Sequence, residues 1–230
     1  MVSRRYKKLA LAQNEGNEPR SAALLGSWGG AGAFLAAYMT SYLIYKACLV
    51  PISIDILEDV AKRSIAWNLS LFMIGVLICW IFPETPRDFR LHISFGNGLF
   101  AILAGITTAN AIAWLQKHIG YLEEINRSPI TIILIVVLAP IFEEFFFRGI
   151  VLNALLKRNN LVMAVVFGSV LFASAHESFW AGFSGQMLLC IVFVLSRRSI
   201  LISWIAHVSL NCAAMFPEWF MLGFLRGVHH

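Results

Sequence analysis

Apolar runs close to 20 residues long recur along this chain, and that feature fixes the solvent it folds in. A helix of about 20 apolar residues crosses a hydrocarbon core about 30 Å thick. Composition agrees: 59% of the 230 residues are hydrophobic, 13% are charged, and mean hydropathy is +0.73. A soluble domain carries about 25% charged residues, so the polar surface here is too small to face water. Eighteen Phe and seven Trp suit a lipid-facing exterior. The expected fold class is all-α, a polytopic transmembrane helix bundle of about seven to eight spans in the cell (inner) membrane. The length fits one such domain and leaves no room for a second.

Residues 1–22 are polar and basic (Arg4, Arg5, Lys7, Lys8, Arg20) and read as a disordered cytoplasmic tail. The run from Leu24 to Val50 is too long for a signal-peptide core, and no small-residue cleavage site follows it. It reads as a first span whose Gly and Ala residues permit close helix packing. Residues 51–64 read as interfacial. Further spans are expected at 65–82, 93–115, 129–156, 161–176, 183–195 and 200–216. Two prolines mark Pro83–Arg90 as a turn, residues 116–128 as a short surface helix, and Pro129 as a helix start, where proline is tolerated. The organisation is therefore a tail (1–22), N-terminal membrane helices (23–128), a bundle rich in motifs (129–216) and a short C-terminal segment (217–230), whose apolar piece Trp219–Leu225 is too short to span.

The net charge of +5 does not point to nucleic acid, because the basic residues sit in short clusters between apolar runs. With the N-terminus in the cytoplasm, the inner segments hold Arg4, Arg5, Lys7, Lys8, Arg20, Arg87, Arg90, Lys157, Arg158, Arg197 and Arg198. The outer segments hold Lys46, Lys62, Arg63, Lys117 and Arg127. Loops retained inside carry excess Lys and Arg, so the N-terminus is expected to be cytoplasmic. The cysteines Cys48, Cys79, Cys190 and Cys212 lie in apolar stretches without a CxxC pair and read as free buried thiols.

Some residues do not belong in an apolar helix. Glu143, Glu144 and Arg148 fall near the middle of the 129–156 span. A charge at helix centre costs roughly 2.5–3.5 kcal/mol, so something must offset three of them. Glu144 and Arg148 are four apart, share a face and can pair. Glu143 points about 100° away and keeps a carboxylate for other use. Two adjacent carboxylates also resist carrying charge together, which suits one of them to general-base work. A single Glu–Arg pair is a common helix lock; the second Glu is what a lock does not need. His176 ends the 161–176 span, and His207 and Asn211 lie four apart on the 200–216 span. Each alone reads as a cap or as interhelical glue. At ~1.5 Å per residue, however, Glu143, His176 and His207 fall in overlapping membrane layers on three helices.

Taken in order, Glu143-Glu144-x-x-x-Arg148, Phe172-x-x-x-His176 and His207-x-x-x-Asn211 resemble the motif set of the CAAX protease and bacteriocin-processing family, which includes the type II CAAX prenyl endopeptidases. The resemblance covers roughly residues 129–211. One departure is Arg198-Ser199-Ile200, where family members often carry Gly-Ser-Leu. The resemblance implies an intramembrane endopeptidase in which Glu143 and His176 deprotonate the attacking water. It further implies that Glu144 holds Arg148 and that His207 and Asn211 donate to the oxyanion. The implied substrate is a membrane-tethered or membrane-embedded peptide, with the bilayer as the other partner and no cofactor. Two alternatives stay open. A zinc enzyme could use Glu143, His176 and His207, although no HExxH pair is present. A non-enzymatic transporter or scaffold could use buried Glu, His and Arg as a relay or lock.

Overall fold

The computed structural model describes residues 59–81, 90–118, 128–176 and 178–220. The basic tail, the span expected at 24–50, most of the interfacial segment, most of the Pro83–Arg90 turn and the surface helix all fall outside these residues. The chain is helical wherever it is described in regular structure. Six long runs follow one another: α1 (Asp59–Ile81), α2 (Phe95–His118), α3 (129–158), α4 (Leu161–Ala173), α5 (Phe179–Leu195) and α6 (Ile200–Met215); a single turn, α7 (Pro217–Phe220), follows. Six runs among the described residues account for six of the expected spans and leave the total of seven to eight open. Two helices, Phe95–Gln116 and Pro129–Lys157, are long and apolar enough to cross a membrane alone, whereas the others hold apolar stretches of 10–17 residues.

Helix boundaries follow local chemistry. Ser128 caps α3 by accepting from the Thr131 N–H, with Pro129 in the first turn as expected. Asn160 caps α4 through the Met163 N–H at 2.9 Å, and Ser199 caps α6 through the Ile202 N–H at 3.4 Å. Between α5 and α6 the chain reverses at Arg197 and Arg198, which have φ of 58° and 63°. The Arg198 N–H reaches back to Phe193 O at 2.8 Å, closing the helix end in the manner that favours glycine. The Gly-to-Arg departure noted in the sequence therefore sits on a left-handed residue. The strand-like residue Arg90 accepts from the Ile200 N–H at 2.9 Å and pairs with Ser199, tying the start of α2 to this turn.

Two boundaries correct the sequence reading. Helix α4 stops at Ala173, and His176 lies in the turn that follows, where the His176 N–H bonds Ala173 O at 3.0 Å. Helix α5 starts at Phe179, four residues before the expected Phe183, so residues 179–182, expected between spans, are helical. Gly182 falls inside this helix. Its role is close approach: a Cβ there would stand 3.1 Å from the His176 Cβ and 3.2 Å from the Ala173 Cα.

The bundle is apolar outside and polar inside. Trp80, Phe95, Met73 and Val162 are exposed, whereas Glu144, Arg148, Ser169, Gln186, Ser199 and Ser203 are buried. Water would favour the opposite arrangement, while hydrocarbon favours this one. Packing inside relies on small residues: Ala101 and Ala206 join Leu189, Val192 and Ile202 where α2, α5 and α6 meet. Gly105 lets the α2 backbone touch α6, since a Cβ there would strike Ala206 O. A second cluster of Leu152, Ala164, Val165, Cys190 and Phe193 holds α3, α4 and α5 together. Among the described residues Cys79, Cys190 and Cys212 are free thiols.

Candidate active site

Helix α3 carries the carboxylates and is irregular where it does so. It runs as short α-helical pieces separated by two π-helical stretches, Ile133–Leu138 and Glu144–Leu152. Pro140 accounts for the first: a proline inside a helix removes one N–H and crowds the preceding turn. The second begins at Glu144. Wider π turns occur often at functional sites.

Both oxygens of Glu144 are held. Arg148 Nε lies 3.0 Å from Oε2, and His207 Nδ1 lies 2.8 Å from Oε1. The side chains are 1% and 0% exposed for Glu144 and Arg148, so the pair is sealed from solvent. The Arg148 guanidinium also lies 5.9 Å from the centre of the Phe172 ring. Ser203, one turn before His207 on α6, donates to Leu189 O at 3.3 Å and stands beside the same carboxylate. The expected Glu144–Arg148 pair is present, and Glu144 does a further job: it orients His207.

Glu143 is different. Its carboxylate stands 3.6 Å from His207 Nε2, outside hydrogen-bond range, and its side chain is 10% exposed against 1% for Glu144. It is the less sequestered and less constrained member of the pair.

His207 sits between the two. A carboxylate accepts and cannot donate, so Nδ1 carries the hydrogen given to Glu144. Nε2 is thereby turned toward Glu143. The same logic applies to His176, whose Nδ1 lies 2.9 Å from Phe172 O; a carbonyl only accepts, so Nδ1 carries the hydrogen and Nε2 is left free. His176 itself is exposed. No hydrogen bond or ion pair joins it to Glu143 among the described residues; the link to the carboxylates runs through Phe172. That ring stacks on His176 at 4.1 Å between centroids and meets His207 edge-on at 6.2 Å. Phe147 packs against its edge at 5.0 Å.

Asn211, the sixth expected residue, lies one turn beyond His207. Its amide donates to Ile135 O at 2.9 Å, which ties α6 to the first π-helical stretch of α3. One amide hydrogen remains for another acceptor. The structure thus brings Glu143, Glu144, Arg148 and His207 into one cluster, with His176 attached through Phe172 and Asn211 through Ile135.

Among the described residues no three His, Cys, Asp or Glu side chains converge as a ligand set. His207 directs one nitrogen at each glutamate, and His176 faces Phe172.

Sequence reasoning gave no role to Phe172 and did not reach Ser203 or Gly182. Spacing carried a signal for the first two. Phe172 precedes His176 by four, and Ser203, His207 and Asn211 follow one another at intervals of four on one helical face. Gly182 carries no such signal, because close approach is a property of two helices.

Comparison with known proteins points to the same stretch of the chain. Residues 125–213 match the family described as "Type II CAAX prenyl endopeptidase Rce1-like", and the matched stretch contains all six expected site residues. A relative in Bacillus subtilis (strain 168), named "Putative membrane peptidase YdiL", is 28% identical over 144 residues, covering 59% of this chain and 52% of the relative. The chain thus spans about half the length of that curated relative. No solved structure matches the chain. Through residues 125–213, which hold Glu143, Glu144, Arg148, His176, His207 and Asn211, this chain is similar to the Rce1-like, type II CAAX prenyl endopeptidase family and to a membrane peptidase relative.

Proposed function

We propose that this chain is an intramembrane endopeptidase that hydrolyses a peptide bond in a membrane-tethered or membrane-embedded substrate. One observation carries the reading: a sealed Glu144–Arg148–His207 triad stands beside a second carboxylate, Glu143, whose nearest charged partner, His207 Nε2, is 3.6 Å away, beyond hydrogen-bond range. A structural lock needs one carboxylate; water activation needs the other.

Glu143 takes a proton from the attacking water, with His176 Nε2 as the second acceptor on the exposed side. The water oxygen bonds the scissile carbonyl carbon, and the carbonyl π pair moves onto oxygen. His207, protonated on both nitrogens and balanced by the Glu144 carboxylate, donates Nε2–H to that oxygen. Asn211 offers its second amide hydrogen, and each such donor is worth about 10²–10³ in rate. On collapse the C–N bond breaks and the leaving amine takes its proton from Glu143 or His176. No step uses a metal.

Helix lengths support a site below the membrane surface. Thirteen residues of α4 extend ~20 Å, against a hydrocarbon core of about 30 Å. If α4 enters at the polar Arg158–Asn160 end, the turn holding His176 stops within the layer. The N-terminus is cytoplasmic in this reading. The bond cleaved is in a peptide delivered through the membrane.

The experiment is a cleavage map. The chain and its Glu143→Ala variant are expressed in membranes, and mass spectrometry identifies peptides lost in the variant. Purified chain in liposomes should then cleave a tethered peptide built on that map, with and without phenanthroline. Cleavage that persists in chelator and vanishes in Glu143→Ala is the expected result. No difference between the two membranes, or complete loss with chelator restored by stoichiometric zinc, would overturn the activity or its metal independence respectively.

A further inference from the structure

Asn211 donates to a carbonyl that the helix itself cannot serve. At the end of the π-helical stretch Ile133–Leu138 the Ala139 N–H reaches five residues back, to Leu134 O. The next bond in that register would run from residue 140 to Ile135 O. Residue 140 is proline and has no N–H. The Asn211 amide fills that place, at 2.9 Å from Ile135 O. A second α6 side chain reaches the same loosened turn, where Trp204 Nε1 donates to Val137 O at 3.4 Å. A carbonyl left without a partner away from water is costly, so the junction needs an outside donor.

We propose that Pro140 is a positioning residue for the site: by withholding its N–H it leaves Ile135 O as the acceptor that fixes the Asn211 amide one turn from His207. The proposal rests on the peptidase reading only for what the fixed amide does next. A primary amide has two hydrogens in one plane. Anchoring one at Ile135 O removes the free rotation of the group and sets the direction of the other. Glu143 lies three residues beyond Pro140 on α3, and His207 lies four before Asn211 on α6. The Pro140 break and the Asn211 amide therefore hold together the two segments that bear the carboxylates and the imidazole. The sequence shows Pro140 and Asn211 71 positions apart, and only the wide turn between them makes one the complement of the other.

The test restores the missing donor. Pro140→Ala supplies an N–H that closes the helix on its own carbonyl and frees Asn211. Full-length chain in detergent is melted as four forms: parent, Pro140→Ala, Asn211→Ala and the double variant. Asn211→Ala should lower the melting temperature of the parent and lower that of Pro140→Ala much less. Pro140→Ala alone should melt at or above the parent. In the liposome cleavage assay it should lower kcat by up to roughly 10²-fold with KM unchanged, the mark of a donor that acts in the transition state. A proline with a purely structural role would instead lose melting temperature and leave kcat per folded molecule alone. An equal loss from Asn211→Ala in both backgrounds overturns the proposal, as does a parental kcat in Pro140→Ala. Pro140→Gly carries the same N–H and replaces the Ala form if that one does not fold; failure of both to fold also counts against the proposal. Melting coupling without cleavage by the parent chain would sink the peptidase reading and leave the Pro140–Asn211 complement standing.

Discussion

Arg148 and Glu143 lie five residues apart on one helix, and their substitution should give opposite results. Removing Arg148 strands a carboxylate that is 1% exposed. Breaking a buried ion pair by deleting one partner costs about 3–5 kcal/mol. Glu144 keeps its bond to His207 at 2.8 Å, and a charge-assisted bond of that kind is worth about 1.5–3 kcal/mol, so the loss should fall at the low end. Lost packing of the guanidinium on Phe172 returns about 0.5–2 kcal/mol of it. For a chain of this size each kcal/mol moves the melting temperature by about 2–4 °C, so Arg148→Ala should melt about 6–20 °C lower. Glu143→Gln is nearly isosteric, and its carboxylate sits 3.6 Å from its nearest charged partner, outside hydrogen-bond range. Its melting temperature should stay within about 4 °C of the parent, while cleavage falls by about 10²–10⁴-fold as expected for a lost general base. The assay is thermal unfolding in detergent, followed by a thiol-reactive dye in a chain that keeps Cys190, which is buried, as its single cysteine. Replacing both charges, as Glu144→Gln with Arg148→Met, should restore most of the lost stability, because the desolvation cost goes with them. The reasoning fails if Glu143→Gln melts as low as Arg148→Ala, or if Arg148→Ala melts with the parent.

Three further outcomes follow from the geometry. Arg198 has φ of 63°, a conformation that costs a side-chain residue roughly 1–2 kcal/mol, so Arg198→Gly should raise the melting temperature by a few degrees; a fall would show that the side chain compensates. Gly105→Ala would press a methyl into Ala206 O, next to His207, and overpacking costs about 1–3 kcal/mol. Both melting temperature and turnover should drop, and parental values for both would mean that α2 and α6 separate freely. Single cysteines at Arg158 and Arg197 in a cysteine-free chain test the orientation with a membrane-impermeant thiol reagent on intact cells. Neither 158 nor 197 should label from outside; labelling of either would invert the topology.

The solvent, most of the helices and the candidate residues of the site are legible in the sequence. Solvent and helices are local or summed properties: apolar runs and Pro129 at a helix start are each read within a few residues. Glu144 and Arg148 four apart, and His207 and Asn211 four apart, are likewise set by the repeat of one helix. Partner choice between helices lies beyond that reach. Depth along the spans put His176 level with Glu143, but depth leaves rotation and lateral order undetermined, and the fold placed His207 against both glutamates. His176 went to Phe172, because α4 ends at Ala173 and the chain turns there. Gly182 and Gly105 carry no local signal of their role, which is close approach: other helices' atoms stand within van der Waals reach of their missing Cβ. Asn211 is the clearest case. Its acceptor exists because Pro140, far away in sequence, declines a hydrogen bond, and only tertiary contact brings the spare carbonyl of α3 to the spare donor of α6.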